Sequence, residues 1–300
     1  MLDICLLGTG GMMPLPNRWL TALLVRYQGR KILIDCGEGT QITLKTLGWG
    51  FKTIDVICFT HYHGDHVTGL PGLLLTIGNA GRTEPLTLIG PPGLKKVVEG
   101  LCVVTPELPF EIKLIEVNEE EAKEMRIEID RGLFIKMLPV FHRITCFAYV
   151  LELERRPKFI PEKARTLNIP VEYWKHLQQG ETVRINDKIY SPEMVSGEKR
   201  KGLKIAYCTD SRPVENLVDF IADADLFICE GMYGDDADKE QAKKKKHMVF
   251  SEAAQLARQA GVKELWLTHF SPALTEPQNF IKVATDIFPY TKVGEDRMTK

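Results

Sequence analysis

The run His61-Tyr62-His63-Gly64-Asp65-His66 restricts what this chain can become more than any other stretch of it. Three imidazoles and a carboxylate fall within six positions, immediately after Asp55–Thr60, whose apolar character reads as a buried strand. Imidazole nitrogen and carboxylate oxygen are the donor atoms that zinc and similar divalent ions accept. Alternate side chains of an extended backbone share a face, so His61 and His63 can grip one ion. Asp65 and His66, around the next turn, can grip a second, with Gly64 read as allowing the tight backbone there. A plain surface loop has no need of this spacing. The expectation is a hydrolase with a two-metal site.

Residues of the same chemistry recur just past apolar stretches. His142 follows Phe134–Val140, Asp210 follows Ile205–Thr209, and His269 follows Leu265–Thr268. Taken singly, each reads as a turn or cap residue. Together with the cluster they describe a site on one rim of a sheet sandwich. Further strands are expected at Leu2–Leu7, Leu20–Tyr27, Lys31–Asp35, Thr87–Ile89, Ile112–Val117, Met125–Ile129, Thr145–Leu153 and Asp225–Glu230. Helices are expected at Gly39–Leu47, Gly69–Gly78, Pro92–Leu101, Phe250–Ala260 and Asn279–Asp286. Strands and helices mixed along the whole chain indicate an α/β sandwich.

Between Glu154 and Lys204 the pattern breaks. Twelve lysines and arginines stand against seven acids there, a net of +5, with four prolines and few apolar runs. This stretch reads as a protruding insertion on a single domain covering residues 1–300. The chain as a whole carries a formal charge of only −1, so its overall field points neither to nucleic acid nor to membrane. Its seven cysteines are odd in number and form no CxxC pair, which suits free thiols and a reducing cytoplasm. No apolar run approaches the ~18–20 residues of a membrane span, and the N-terminus lacks the pattern of a secretory signal.

The six-residue run is similar to the HxHxDH signature of the metallo-β-lactamase superfamily. Within it, the chain resembles the ribonuclease Z family, which removes the 3′ trailer from precursor tRNA. The narrower likeness is carried by Leu7-Gly8-Thr9-Gly10, Asp35-Cys36-Gly37-Glu38-Gly39-Thr40-Gln41, Asp210-Ser211-Arg212-Pro213 and Thr268-His269-Phe270-Ser271-Pro272. It implies an αββα sandwich of two mixed sheets flanked by helices, the metallo-β-lactamase fold. It also implies that His61, His63 and His142 hold one divalent ion, Asp65, His66 and His269 hold another, and Asp210 bridges them. Zinc is the first choice of ion and manganese the alternative. In the implied reaction, water activated by two metals attacks a phosphodiester of precursor tRNA, with Asp65 orienting or deprotonating it. Glu230 would hold His247 protonated, ready to donate to the departing 3′ oxygen. The Glu154–Lys204 insertion corresponds to an arm that grips tRNA, and a cytoplasmic homodimer is implied.

The chain departs from that family pattern in places. Ile169-Pro170-Val171-Glu172 stands where the arm carries Gly-Pro. His247-Met248-Val249 stands for His-Ser-Thr, Cys229-Glu230-Gly231-Met232 for His-Glu-Ala-Thr, and Ala273-Leu274 for Arg-Tyr. The alternative kept open is a hydrolase of the same fold acting on a small ester. The basic insertion separates the two readings, because a small substrate gives no reason for one.

Overall fold

The computed structural model describes residues 2–105 and 107–300. Its central strands are apolar at consecutive positions because they are covered on both faces. In β1 (Leu2–Gly8), Ile4 and Leu6 point between two sheets, whereas Cys5 and Leu7 point to a layer of helices. The chain continues through β2 (Ala22–Tyr27), β3 (Arg30–Ile34), α1 (Thr40–Leu47), β4 (Ile54–Cys58) and α2 (Gly64–Val67). Next come α3 (Leu70–Asn79), β5 (Leu86–Gly90), α4 (Leu94–Leu101) and β6 (Ile112–Glu116). These six strands form one sheet in sequence order, antiparallel from β1 to β3 and parallel from β3 to β6. Leu44, Leu73, Leu74, Ile77, Leu94 and Val98 seal its outer face with helices.

The second half opens with α5 (Glu119–Glu124), β7 (Arg126–Asp130), β8 (Leu133–Val140) and β9 (Cys146–Leu153). The insertion follows, with α6 (Pro161–Thr166), α7 (Trp174–Gln178) and the hairpin β10 (Val183–Ile185) and β11 (Lys188–Tyr190). The chain then re-enters the body through β12 (Leu203–Cys208), α8 (Glu215–Ile221), β13 (Leu226–Glu230) and α9 (Lys239–Lys245). It finishes with α10 (Phe250–Gln259), β14 (Leu265–Thr268), α11 (Ile281–Thr285) and β15 (Thr291–Val293). The second sheet runs β15-β14-β13-β12-β9-β8-β7, parallel from β12 to β15 and antiparallel elsewhere. Helices α8, α10 and α11 cover its outer face through Leu217, Phe250, Leu256 and Ala284.

The result is the αββα sandwich that the sequence implied. Two buried tyrosines cross its middle: Tyr149 donates to the carbonyl of Phe59 at 2.8 Å, and the Tyr207 hydroxyl meets that of Thr21 at 3.0 Å. Each ring fills the apolar interior while its hydroxyl finds a partner on the opposite sheet.

The insertion leaves and returns at neighbouring points, because Leu153 of β9 is paired in register with Leu203 of β12. Leu203 and Lys204, expected in the insertion, belong to that strand. The insertion has its own small core of Ala164, Ile169, Leu177, Val183 and Val195, beside the Phe159 and Trp174 rings at 5.4 Å.

Gly64 differs from expectation. It opens α2 with a backbone outside the left-handed region, and a Cβ there would meet only Thr68 Cγ2, at 3.7 Å. The chain turns by starting a helix, so other residues would fit at this position.

Candidate active site

Parallel strands that end at the same rim deliver their following residues to one cleft, and this is where α/β sheets place their ligands. β4 leads to His61, β12 to Asp210, β13 ends on Glu230, β14 leads to His269, and β8 leads to His142. Asp35, Asp210 and His269, each just past a strand, have positive φ of 61°, 28° and 57°. Left-handed backbone at non-glycine residues is costly, and the surrounding packing must hold it. Gly11 shows how close that packing is: a Cβ there would lie 2.8 Å from the His269 ring.

Two donor sets result. In the first, His61 Nε2 lies 2.9 Å from His63 Nδ1, and His142 Nε2 lies 3.2 Å from the same atom. Asp210 Oδ2 is 3.6 Å from both His61 Nε2 and His142 Nε2. In the second, His66 Nε2 and His269 Nε2 are 3.2 Å apart, and Asp65 Oδ2 is 3.7 and 3.4 Å from them. Asp210 Oδ1 is 3.1 Å from each of these nitrogens. Every residue expected as a ligand is therefore in one of two adjoining sets, with one Asp210 oxygen in each. The cleft above them, about 340 Å³, is lined by Met12, His63, Asp65, His142, Arg143, Asp210, Met232, Lys245, His247 and His269.

The donor atoms fit divalent ions. Tetrahedral sites with arms of about 2.0–2.1 Å have donors roughly 3.3 Å apart, which is the spacing found here. Asp210 Oδ1 is buried without a hydrogen-bond partner, a costly state that a cation between it and the imidazoles would relieve. Burial pushes the pKa of His61 well below its usual value, with repulsion from His66 adding to this. Burial likewise lowers His63 and His142. All three thus favour the neutral form that coordinates metal. Burial also opposes a charge on His66, but Asp210 and Asp35 outweigh it and raise its pKa well above the usual value. A cation in the second set would take over the role of that proton.

Supporting contacts fix the ring orientations. Asp35 Oδ2 holds His66 Nδ1 at 2.9 Å, and Asp35 Oδ1 accepts from the Thr60 amide at 2.8 Å. The Thr60 hydroxyl lies 3.0 Å from His61 Nδ1, the Lys246 carbonyl 3.1 Å from His142 Nδ1, and the Met12 amide donates to Asp65 Oδ2 at 2.7 Å. Sequence reasoning gave none of these residues a positioning role. An acid directly after β3 was the signal available for Asp35. The Thr60, Lys246 and Met12 contacts are products of tertiary placement.

Glu230 and His247 also meet. Glu230 Oε2 is 3.0 Å from His247 Nδ1, while Oε1 accepts from the Ser211 amide at 2.5 Å. Burial alone would depress the His247 pKa, but the charge and hydrogen bond of Glu230 prevail, helped by Asp210, and lift it to about 9. His247 Nδ1 is 3.9 Å from Asp210 Oδ2, so it borders the donor sets while being held by Glu230. Near the Ala273-Leu274 departure, Arg18 reaches in from another loop and donates to the carbonyls of Leu274 and Thr275 at 2.7 and 2.8 Å.

The fold and this arrangement of imidazoles and carboxylates define a protein of the metallo-β-lactamase fold. A family model described as "Anti-Pycsar protein Apyc1" matches residues 2–100 only. Curated relatives match far more. Ribonuclease Z of Clostridium kluyveri is 56% identical over 100% of this chain and 98% of its own length. Ribonuclease Z of Lachnoclostridium phytofermentans is 53% identical over 99% and 96%. Among solved structures, human tRNase Z, short form, superimposes with a TM-score of 0.71 at 26% identity, covering 99% of this chain and 98% of that one. The Bacillus subtilis metallo-β-lactamase fold protein YhfI, at 18% identity and TM-score 0.70 over 100% and 98%, shares the fold. This chain belongs to the ribonuclease Z family.

Proposed function

We propose that this chain is an endoribonuclease that cuts precursor tRNA at its 3′ end, using two divalent ions held by His61, His63, His142 and Asp210 and by Asp65, His66, His269 and Asp210. The observation that carries the reading is the shared Asp210, one oxygen in each donor set, in a chain 56% identical to a ribonuclease Z. When bound, the ions supply charge neutralisation at the phosphate and acidify water. Asp65 orients the attacking water and takes its proton. His247, held by Glu230, gives a proton to the departing 3′ oxygen.

Five imidazoles and two carboxylates at tetrahedral spacing favour zinc over the more oxygen-rich, octahedral preference of manganese. The insertion at 154–204, with its +5 charge, supplies phosphate contacts away from the cut. A cytoplasmic setting agrees with seven free cysteines, six of them buried. Among the described residues no helix is long and apolar enough to cross a membrane.

A homodimer is supported by apolar exposure on one region. α1 packs on α3, and α3 on the turn Cys102–Val104, leaving Ile42, Leu75, Val103 and Val104 exposed at 49%, 41%, 78% and 65%. The test of the activity is cleavage of precursor tRNA by the zinc-loaded protein. Cutting just after the discriminator base, abolished by Asp65→Ala in a variant that melts normally, is expected. An uncut precursor under those conditions would overturn the reading.

A further inference from the structure

Phe141 stands one residue before His142, which lines the cleft, and half of its surface is exposed, 50%. Its backbone is not loose. The Phe141 amide lies 3.2 Å from Ser211 Oγ and its carbonyl accepts from the Arg212 amide at 3.0 Å, so the loop that carries Asp210 fixes it. Lys246 places its ammonium 4.1 Å from the Phe141 ring centre while its carbonyl meets His142. It does so from a left-handed backbone, φ 65°, at the end of α9. Arg143 and Lys245, next in sequence to His142 and Lys246, line the cleft and add two further cations there. A rigid aromatic face left in water next to a phosphodiester site has no packing role, but it suits the π-face of a nucleobase. The surrounding cations suit the phosphate that the base carries.

We infer that Phe141, with Lys246 over its ring, is the stacking platform for the nucleobase immediately 5′ to the scissile bond. This rests on the reading of the site as an RNA-cutting centre. The side follows from position: Lys246 directly precedes His247, the group assigned to the departing 3′ oxygen, and the His247 and His142 rings are 5.3 Å apart. The pair therefore flanks the leaving half of the substrate. Stacking of this kind is sequence-tolerant, because every base has a face, so the platform holds the nucleotide without reading its identity.

The test uses the zinc-loaded protein and precursor tRNA, intact or carrying an abasic residue immediately 5′ or immediately 3′ to the cut. Phe141→Ala should lower kcat/KM on intact precursor by about 5- to 100-fold, the range that loss of one stacked base gives, and Phe141→Trp should restore it. The wild type should lose a similar factor on the 5′-abasic substrate, where Phe141→Ala should cost nothing more. Equal losses from Phe141→Ala on intact and 5′-abasic RNA, no loss on either, or a loss cancelled by the 3′-abasic residue instead, would each overturn the assignment. Melting temperature and bound metal separate these outcomes from misfolding. Wild-type protein that leaves every precursor uncut sinks the RNA-cutting reading and this inference together, whereas cutting that is indifferent to Phe141 sinks only the platform.

Discussion

Asp210 offers one oxygen to each donor set, and Glu230 works in a similar divided way: one oxygen faces His247 and the other holds the Ser211 amide beside Asp210. That division makes the carboxylate testable without dismantling the loop. Glu230→Gln keeps an amide oxygen for Ser211 but removes the charge that favours a protonated His247. We expect kcat to fall on the order of 10²-fold or more, the usual worth of a positioned acid, with bound metal unchanged. His247→Ala should do the same, and the double variant should be no slower than the worse single one, because paired groups act as a unit. Additive losses in steady-state kinetics would show that the two residues act separately.

At the scale of elements, the insertion leaves from β9 and returns to β12 at paired positions, and it has its own apolar cluster. Replacing residues 156–199 with a short loop should therefore leave the sandwich folded, because Leu153 and Leu203 already pair. Cleavage of precursor tRNA should collapse while turnover of a small phosphodiester persists. If both fall together, the insertion is structural rather than a substrate grip. Toward the β15 edge of the same sheet, Glu264, just before β14, joins Lys292 of β15 at 2.8 Å, Trp266 Nε1 at 2.7 Å and the Lys300 ammonium. Partial burial opposes its charge, yet these donors hold its pKa at about 2 against a usual 4.5. A depressed folded-state value stabilises above the unfolded pKa, and that gain is lost as pH falls through the folded one. The melting advantage of wild type over Glu264→Gln should be constant above about pH 4.5 and shrink from there toward pH 2. An advantage independent of pH in that window would contradict the clamp.

Much of this architecture was readable because strands buried on both faces leave continuous apolar runs, and imidazoles and carboxylates placed just past them stand out. The elements that escaped notice are short or polar. β15 spans only Thr291–Val293, and α9 lies partly within the lysine run from 243, whose charge conceals its helical period. α5 carries a capping box between Asn118 and Glu121, a local signal that the sequence does contain. The contacts of Asp35, Thr60, Met12 and the Lys246 carbonyl arise from backbone brought together across the fold, which no local pattern encodes.

On the scale of the whole molecule, the near-neutral chain gathers its candidate site at one rim and carries a net positive excess in the insertion, so net charge alone concealed the substrate class. The exposed apolar residues on α1, α3 and the turn after α4 would be poor surface in a monomer. Leu75→Glu should convert a dimer to a monomer in light scattering. A wild-type chain that is already monomeric at micromolar concentration would remove that part of the account.

A two-ion site that shares Asp210 is expected to act on precursor tRNA far better than on small diesters. The most direct measurement compares kcat/KM for a structured precursor tRNA and for bis(p-nitrophenyl) phosphate on one zinc-loaded preparation, with the RNA product ends mapped. The expected result is a strong preference for the precursor, a single cut after the discriminator base, and loss of both activities in Asp210→Ala. Hydrolysis of the small diester with the precursor left intact would contradict it.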